Sequence, residues 1–553
     1  MDKKFNLLDE PWIKVLMTDG STVEMSILET FKNASEILRI SGETPSQDIS
    51  VQRFLMAIMH VVVGRYTVEG KMQPLSQADD SAEAFSRWEE YWIEAGFPIE
   101  VVNKYLEEHR DRFYMIHPDT PFYQITEDDL PEWMKNAPGK STYSTAKFCG
   151  ELLESANKLR LFPSRSGKSK EKVSLSEAAR WLLHLNAFDD AGFKTPLKGV
   201  SFTVGWPGKT GSIYAVGNNL FESLMLNLVL LSNGDLWEKE NPIWESSKRT
   251  AERVADYLLP QNPSELLTMQ SRRIFLLWED DHVVGYRTFG GDQFSEEDAF
   301  SEQWTLWQKR ARKGKAVYYT PKKTRENKQI WREFSSIVGA SDRDSDAYRI
   351  PGVVSWIGEL ESRNKLDNRI IQFETLNAHY DSTSSSVVEI FTDRLSFHTS
   401  LLKNLESVWL SLIEREMEYT ALLIDRLGIL AMEIAQASGQ SPGRNRSNWF
   451  NTADDVKEIA YDQLDLPFRE WLESIDPNNE SLSHEEKSDE WWEIGKETIR
   501  RLGSELVDQS SPAAFVGRKT DEEQPTVVSV PNAYRRFLIN TSTRSSVQFK
   551  KRK

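Results

Sequence analysis

The stretch LLKNLESVWLSLIEREMEYTALLIDRLGILAMEIAQASG, residues 401–439, marks a change in the character of this chain. Leu401, Leu402, Leu405, Val408, Trp409, Leu412, Ile413, Met417, Ala421, Ile424, Leu427, Ala431 and Ile434 recur every three or four residues, which lays them along one helix face. Gly439 suits the stop. Residues 454–474, 484–503 and 532–541 are patterned similarly, with Pro, Gly and Asn loops between, so a helical bundle is expected from about residue 398. Upstream, helical stretches (52–63, 80–95, 174–187, 220–231) mix with strands. Residues 12–23 read as strand with a turn at Asp19-Gly20, and residues 272–278 and 282–288 as a strand pair. Residues 370–376 and 386–391 flank a polar tip, Asp381 to Ser385, as in an exposed hairpin. Residues 198–216, with turn signals at Trp206-Pro207-Gly208 and Thr210-Gly211, also read as a hairpin. The fold class is α+β, a large irregular mixed α/β domain over 1–397 and a helical domain over 398–553.

At 553 residues the chain is too long for one ordinary core. Its 68 basic and 85 acidic residues give a net charge of −17, so any contact with a polyanion must be local. The 18 Trp, 26 Phe and 16 Tyr suit large cores and interfaces of an assembly. Cys149 stands alone, which excludes an intrachain disulfide and a cysteine-based zinc site, and points to the cytoplasm. The start, MDKKFNLLDEPW, lacks the apolar run of a secretion signal. FLMAIMHVVV, residues 54–63, is too short to span a bilayer and reads as a buried helix, so no membrane association is expected.

Three basic segments stand out on this acidic background. Residues 158–172 (KLRLFPSRSGKSKEK) hold six Lys or Arg against one Glu and run directly into the helix at 174. Such a loop either moulds to phosphates or is a solvated surface loop. Residues 309–332 hold ten Lys or Arg against Glu326, with Tyr318, Tyr319 and Trp331 interleaved. The chain after Glu523 carries Arg535, Arg536, Arg544 and the terminal Lys550 to Lys553 without an acid, as either a phosphate contact or a solubilising end.

Signals for chemistry are weaker. His60, His109, His117, His184, His282, His379, His398 and His484 show no metal-pair spacing and read as structural. Gly167-Lys168-Ser169 and Gly208-Lys209-Thr210 lack the upstream glycine of a phosphate loop, where Phe162 and Thr203 stand instead. Asp189-Asp190 is an adjacent carboxylate pair without a third ligand, which reads as solvated. Neither a metal nor a cofactor is expected.

Four ordered strings are more specific. FNLLDEPWIKV (5–15), FYMIHPDTPFYQ (113–124), LFPSRSGKSKEKVSLSEAARWLLHLNAFDDAG (161–192) and GNNLFESLMLNLVL (217–230) together resemble the CasA family, the large subunit of the type I-E CRISPR surveillance complex, Cascade. The likeness runs through most of the chain and is clearest before residue 235. It implies a four-helix bundle at the C-terminal end. It also implies a non-enzymatic protein that reads the protospacer-adjacent motif on double-stranded target DNA and helps open the duplex for CRISPR RNA. Other Cascade subunits and a recruited helicase-nuclease are the implied protein partners.

The resemblance also assigns residues. The family's basic loop is similar to residues 161–172, placing Phe162 at its motif-reading aromatic, Ser164 where relatives have asparagine, and Arg165, Lys168, Lys170 and Lys172 as phosphate contacts. A glycine-rich loop near the minor groove falls on Gly192, Phe193, Lys194 and Thr195, of which only the first is glycine. The strand-separating hairpin resembles residues 380–388, with Thr383, Ser384 and Ser385 replacing a glutamine wedge. Lys313 or Lys315 stands in for a minor-groove lysine, and Arg535 and Arg536 for contacts with the displaced strand. Two other classes compete: a nucleic-acid enzyme (nuclease or NTPase), and a scaffold that binds only guide RNA and protein partners.

Overall fold

The structure is a computed structural model. It describes residues 3–136, 142–150, 165–192, 203–246, 257–312, 316–326, 328–339, 349–403, 407–440, 446–519 and 527–547, without the side chains of 168–169, 257–258 and 446–450. The chain divides into two units: Met1–Glu326 with Ala347–Lys365 and Ile371–Arg394, and Asn327–Asp346 with Leu366–Ile370 and Leu395–Lys553.

In the first unit β1 (Ile13–Met17), β2 (Thr22–Met25) and β3 (Ile37–Ile40) form an antiparallel sheet with β1 central. Gly20 makes the β1–β2 turn at φ +86°, a conformation that glycine adopts without steric cost. Helix α1 (Pro45–Arg65) starts at Thr44, whose hydroxyl accepts from the Gln47 amide, with proline at the first position. From Phe54 to Gly64 every residue is buried, as expected of a helix that is apolar all round. Rings of Trp12, Phe122 and Trp244 stand 6.0, 5.4 and 5.8 Å from Phe54, edge-on. Burial pushes the His60 imidazole down to about 3, so it packs neutral.

Helices α2 (Leu175–Phe188) and α3 (Trp206–Thr210), strand β4 (Ser212–Val216) and helix α4 (Leu220–Leu226) follow. After them come β5 (Arg272–Glu279) and β6 (His282–Gly290), paired antiparallel, then the hairpin of β7 (Leu306–Arg310) and β8 (Tyr318–Lys322). Strands β9 (Ile370–Tyr380) and β10 (Val387–His398) complete a three-stranded sheet in the order β10-β9-β4.

Two local expectations fail here. Trp206-Pro207-Gly208 is not a hairpin turn but opens α3, because proline fits a helix start, and β4 pairs with the distant β9 instead. Residues 198–202 of that expected hairpin lie outside the described residues. The helix expected to run to 231 stops at Leu226. There the Asn227 amide donates to the Ala215 carbonyl at 2.7 Å and accepts from its N–H at 2.9 Å, covering the edge of β4.

Asp48 on α1 accepts from the Gly42 amide at 2.6 Å, yet burial lifts its carboxyl to about 7. A carboxyl whose folded value lies above its unfolded 3.8 costs stability when it ionises. The cost is absent below that unfolded value and complete above about 7. Asp48→Asn is therefore expected to stabilise the chain more at pH 8 than at pH 5 in urea unfolding. An equal effect at both pH values contradicts the assignment.

In the second unit, α5 (Val408–Ala437), α6 (Arg446–Glu473), α7 (His484–Asp508) and α8 (Val530–Asn540) make the four-helix bundle, so the chain has the α+β fold class read from its sequence. The amphipathic run begins later than its spacing suggests. Thr399–Leu402 is a 3₁₀ turn, and Ser407 caps α5 by accepting from the Leu410 amide at 3.3 Å. Helix α5 packs on all three others, and α6 and α8 each pack on α7 as well, so α6 and α8 occupy opposite corners. Phe468, Trp471 and Trp491 fill the centre. The Trp491 indole donates to the Thr420 hydroxyl at 2.9 Å, and buried Glu416 accepts from the Ser488 hydroxyl at 2.7 Å. Among the described residues, no helix is long and apolar enough to cross a membrane.

Candidate nucleic-acid interface

Helix α2 carries two of the elements singled out in the sequence, one at each end. At its start Ser174 accepts from the Glu177 amide at 3.2 Å. Just before it, Val173 and Ser174 pair with Val283 and His282 on β6. This roots the basic segment. Arg165 forms an ion pair with Glu177 on the first helical turn, Lys172 pairs with Glu279 at 3.0 Å, and the Thr145 hydroxyl donates to the Lys170 carbonyl. Phe162 and Ser164 lie outside the described residues, as does the Lys168 side chain.

At its other end, α2 stops at Phe188 and the chain enters the glycine turn. The Arg272 guanidinium holds both feet of that loop. Nε donates to the Asp189 carboxylate at 2.7 Å, while Nη2 donates to the carbonyls of Asp189 (3.1 Å), Asp190 (2.9 Å) and Thr203 (2.7 Å). The Gly205 amide adds a bond to the Asp189 carbonyl at 3.1 Å. Asp189 and Arg272 are buried, with side chains 0% and 2% exposed, so the adjacent carboxylates are not the solvated pair their sequence suggests. Phe193, Lys194 and Thr195 fall among residues 193–202, outside the described residues, between these feet.

The tip of the β9–β10 hairpin meets the same turn. The Ala191 amide donates to the Ser384 carbonyl at 2.8 Å, and a Cβ placed on Gly192 would stand 2.5 Å from the Ser385 carbonyl oxygen. Only glycine permits this approach. The hairpin stem is tied to α2 by the Tyr380 hydroxyl, which donates to the Phe188 carbonyl at 2.7 Å. Within the tip the Asp381 carboxylate accepts from the amide and hydroxyl of Thr383 (3.0 and 2.9 Å), both groups of Ser385 (2.8 Å each) and the Ser386 hydroxyl (2.7 Å). These bonds, the Ser386 hydroxyl first, hold the Asp381 carboxyl well below the ordinary carboxylate range. They also fix Ser384 at φ +54°, unusual for a side chain that is not glycine. Small hydroxyl residues thus build a braced tip in which Thr383 and Ser385 turn inward to Asp381.

The remaining candidates belong to other elements. Lys313 and Lys315 lie outside the described residues, between β7 and β8. Beside them Lys309 and Arg310 are exposed, while Arg312 pairs with Glu297 at 2.8 Å. Lys323, in the same basic run, lies against the Tyr380 ring and donates to the Ala378 carbonyl at 3.2 Å. Burial lowers its ammonium to about 8. In the bundle, Arg535 and Arg536 are exposed on α8, and Arg536 pairs with Glu433 at 3.0 Å. His184, on α2, packs against the Ser46 hydroxyl at 3.0 Å and is pushed down to about 3 by burial. Among the described residues, no three His, Cys, Asp or Glu side chains gather as a metal site would.

The described residues thus form a mixed α/β body and a helical bundle, with a braced hairpin tip set against a clamped glycine turn. The family described as CRISPR-associated protein Cse1 matches residues 6–502, and the chain belongs to that family. CasA/Cse1 of Thermus thermophilus is 33% identical over 244 residues, which are 44% of this chain and 42% of that relative's length. The fold is similar to the crystal structure of Thermobifida fusca Cse1, with TM-score 0.77, 24% identity, and coverage of 99% of this chain and 98% of that one. It is also similar to a chain in a structure of a CRISPR RNA-guided surveillance complex, with TM-score 0.60, 15% identity, and coverage of 91% and 100%.

Proposed function

We propose that this chain is the large subunit of a type I-E Cascade complex, and that it reads the protospacer-adjacent motif on double-stranded DNA and favours opening of the duplex for CRISPR RNA. Family membership and the likeness to a surveillance-complex chain support the setting. The observation that carries the reading is the convergence of the Gly192 turn and the Thr383-Ser384-Ser385 tip on the end of α2. Two elements that would approach base edges and the first base pairs are thereby held at one fixed separation. Preorganisation of this kind lets binding discriminate between flanks, because no ordering cost falls on the encounter.

The work divides along the chain. Residues 1–397 carry the motif-reading loops, and residues 398–553 hold Arg535 and Arg536 toward the displaced strand, after which a helicase-nuclease is recruited. The mechanism is differential binding: an opened, bent duplex makes more contacts with the cationic loops than a closed one, and the guide captures the opened strand. No bond-making step falls to this chain, which acts in the cytoplasm.

Gly192→Ala tests the site. The added methyl meets backbone atoms of Ser385, so turn and tip must part. Hydrogen exchange at the Ala191 amide is expected to quicken about tenfold or more, and the assembled complex to lose discrimination between flanks while still assembling. Unchanged exchange together with unchanged discrimination contradicts the reading.

A further inference from the structure

The outward face of α6 carries two exposed aliphatic side chains set among carboxylates. Asp455, Ile459, Asp462 and Leu466 follow one another at steps of four, three and four residues, so they form one stripe, with exposed Glu470 at its end. Ile459 is 53% exposed and Leu466 62%. Nearby cations are engaged with other partners: Lys457 with Asp425 at 2.7 Å, Arg469 with Asp465 at 2.8 Å, Arg332 with Glu458 at 3.2 Å, and Arg501 with Glu505 at 2.8 Å and the Gln463 side chain at 3.1 Å. The stripe is therefore acidic and aliphatic in alternation, without a cation of its own among the described residues.

Phosphate is repelled by such a surface, and the exposed arginines of α8 lie at the opposite corner of the bundle. Two aliphatic side chains seven residues apart, with Asp462 between them and Asp455 a turn before the first, have the period of a helix–helix seam. We infer that the outer face of α6 docks a basic amphipathic helix of a protein partner, whose apolar residues cover Ile459 and Leu466 and whose Lys or Arg side chains meet Asp455, Asp462 and Glu470. The aliphatic pair supplies burial and the carboxylates fix register and partner choice. Assembly and nucleic-acid contact thus fall on opposite corners of one bundle, a division that rests on the proposed membership in a surveillance complex.

The test uses the full chain and its Ile459→Asp/Leu466→Asp variant, whose changes are on exposed positions and are expected to leave the melting curve in place. Two probes are titrated: a synthetic helical peptide with leucine every seventh residue and lysine between, beside its scrambled control, and the ribonucleoprotein assembled from the other subunits and guide RNA. The wild-type chain is expected to bind both probes. The variant is expected to bind each about 30-fold or more weakly, and a charge variant, Asp455→Lys/Asp462→Lys, to weaken the peptide similarly. Equal binding of ordered and scrambled peptide by the wild type overturns the inference, whatever the ribonucleoprotein does. Intact association of the variant with the ribonucleoprotein, or lost flank discrimination with association intact, overturns it too. Failure of the functional reading looks different: peptide binding persists and depends on Ile459 and Leu466, while no ribonucleoprotein association is seen with any chain.

Discussion

Arg272→Met is expected to be among the most damaging single changes in the chain, lowering the stability of the first unit by about 3–5 kcal/mol. The substitution strands the Asp189 carboxylate in a fully buried position and removes the donor shared by the carbonyls of Asp189, Asp190 and Thr203. A buried charge left alone costs far more than the pair contributed. Arg272→Lys is expected to recover only part, since an ammonium lacks the planar fork that reaches a carboxylate and several carbonyls at once. Asp189→Leu added to Arg272→Met should recover more, because the orphaned charge is gone, although the carbonyls still lack a donor. Chemical denaturation of the full chain, followed through the transition of the first unit, reads all three. A loss below about 1 kcal/mol for Arg272→Met contradicts the clamp.

The second large effect concerns the basic segment ahead of α2. Lys168→Glu/Lys170→Glu with Arg165→Gln is expected to weaken duplex-target binding by the assembled complex roughly 100-fold at moderate salt and to flatten the salt dependence by up to about three log units per log unit. Glutamine is chosen at 165 because glutamate there would face Glu177, the partner of Arg165, and add a local repulsion. Binding at several salt concentrations separates the readings. A parallel shift without a change of slope argues against phosphate contact. Loss of assembly favours the scaffold that binds only RNA and protein, and metal-dependent cleavage by the purified chain favours an enzyme.

Much of the architecture was legible because its signals are local. The bundle declares itself through apolar spacing that persists over 30 residues of α5, and the β9–β10 hairpin through two β-rich runs around a polar tip. The failures were non-local. Nothing near Trp206-Pro207-Gly208 reveals that β4 pairs with β9, more than 150 residues onward. Asp189 looked solvated because its partner lies 83 residues away. A signal was present all the same. Arg272 and Arg273 open a strand that is apolar from Ile274 through Trp278, where successive side chains point to opposite faces, so a buried acid on each face was to be looked for; they are Asp189 and Asp292, the latter at 2.8 Å. The candidate site was legible as separate segments, not as a constellation. That Gly192 and the Ser384-Ser385 tip touch follows from the sheet and the clamp, which no local pattern encodes.

We propose that this chain selects the flank of the DNA target. Its most direct test is target binding by the ribonucleoprotein across a library of flanking motifs, with and without this subunit. A narrow set of preferred flanks is expected when the subunit is present, and near-uniform, weak binding when it is missing. Equal discrimination in both cases would contradict it.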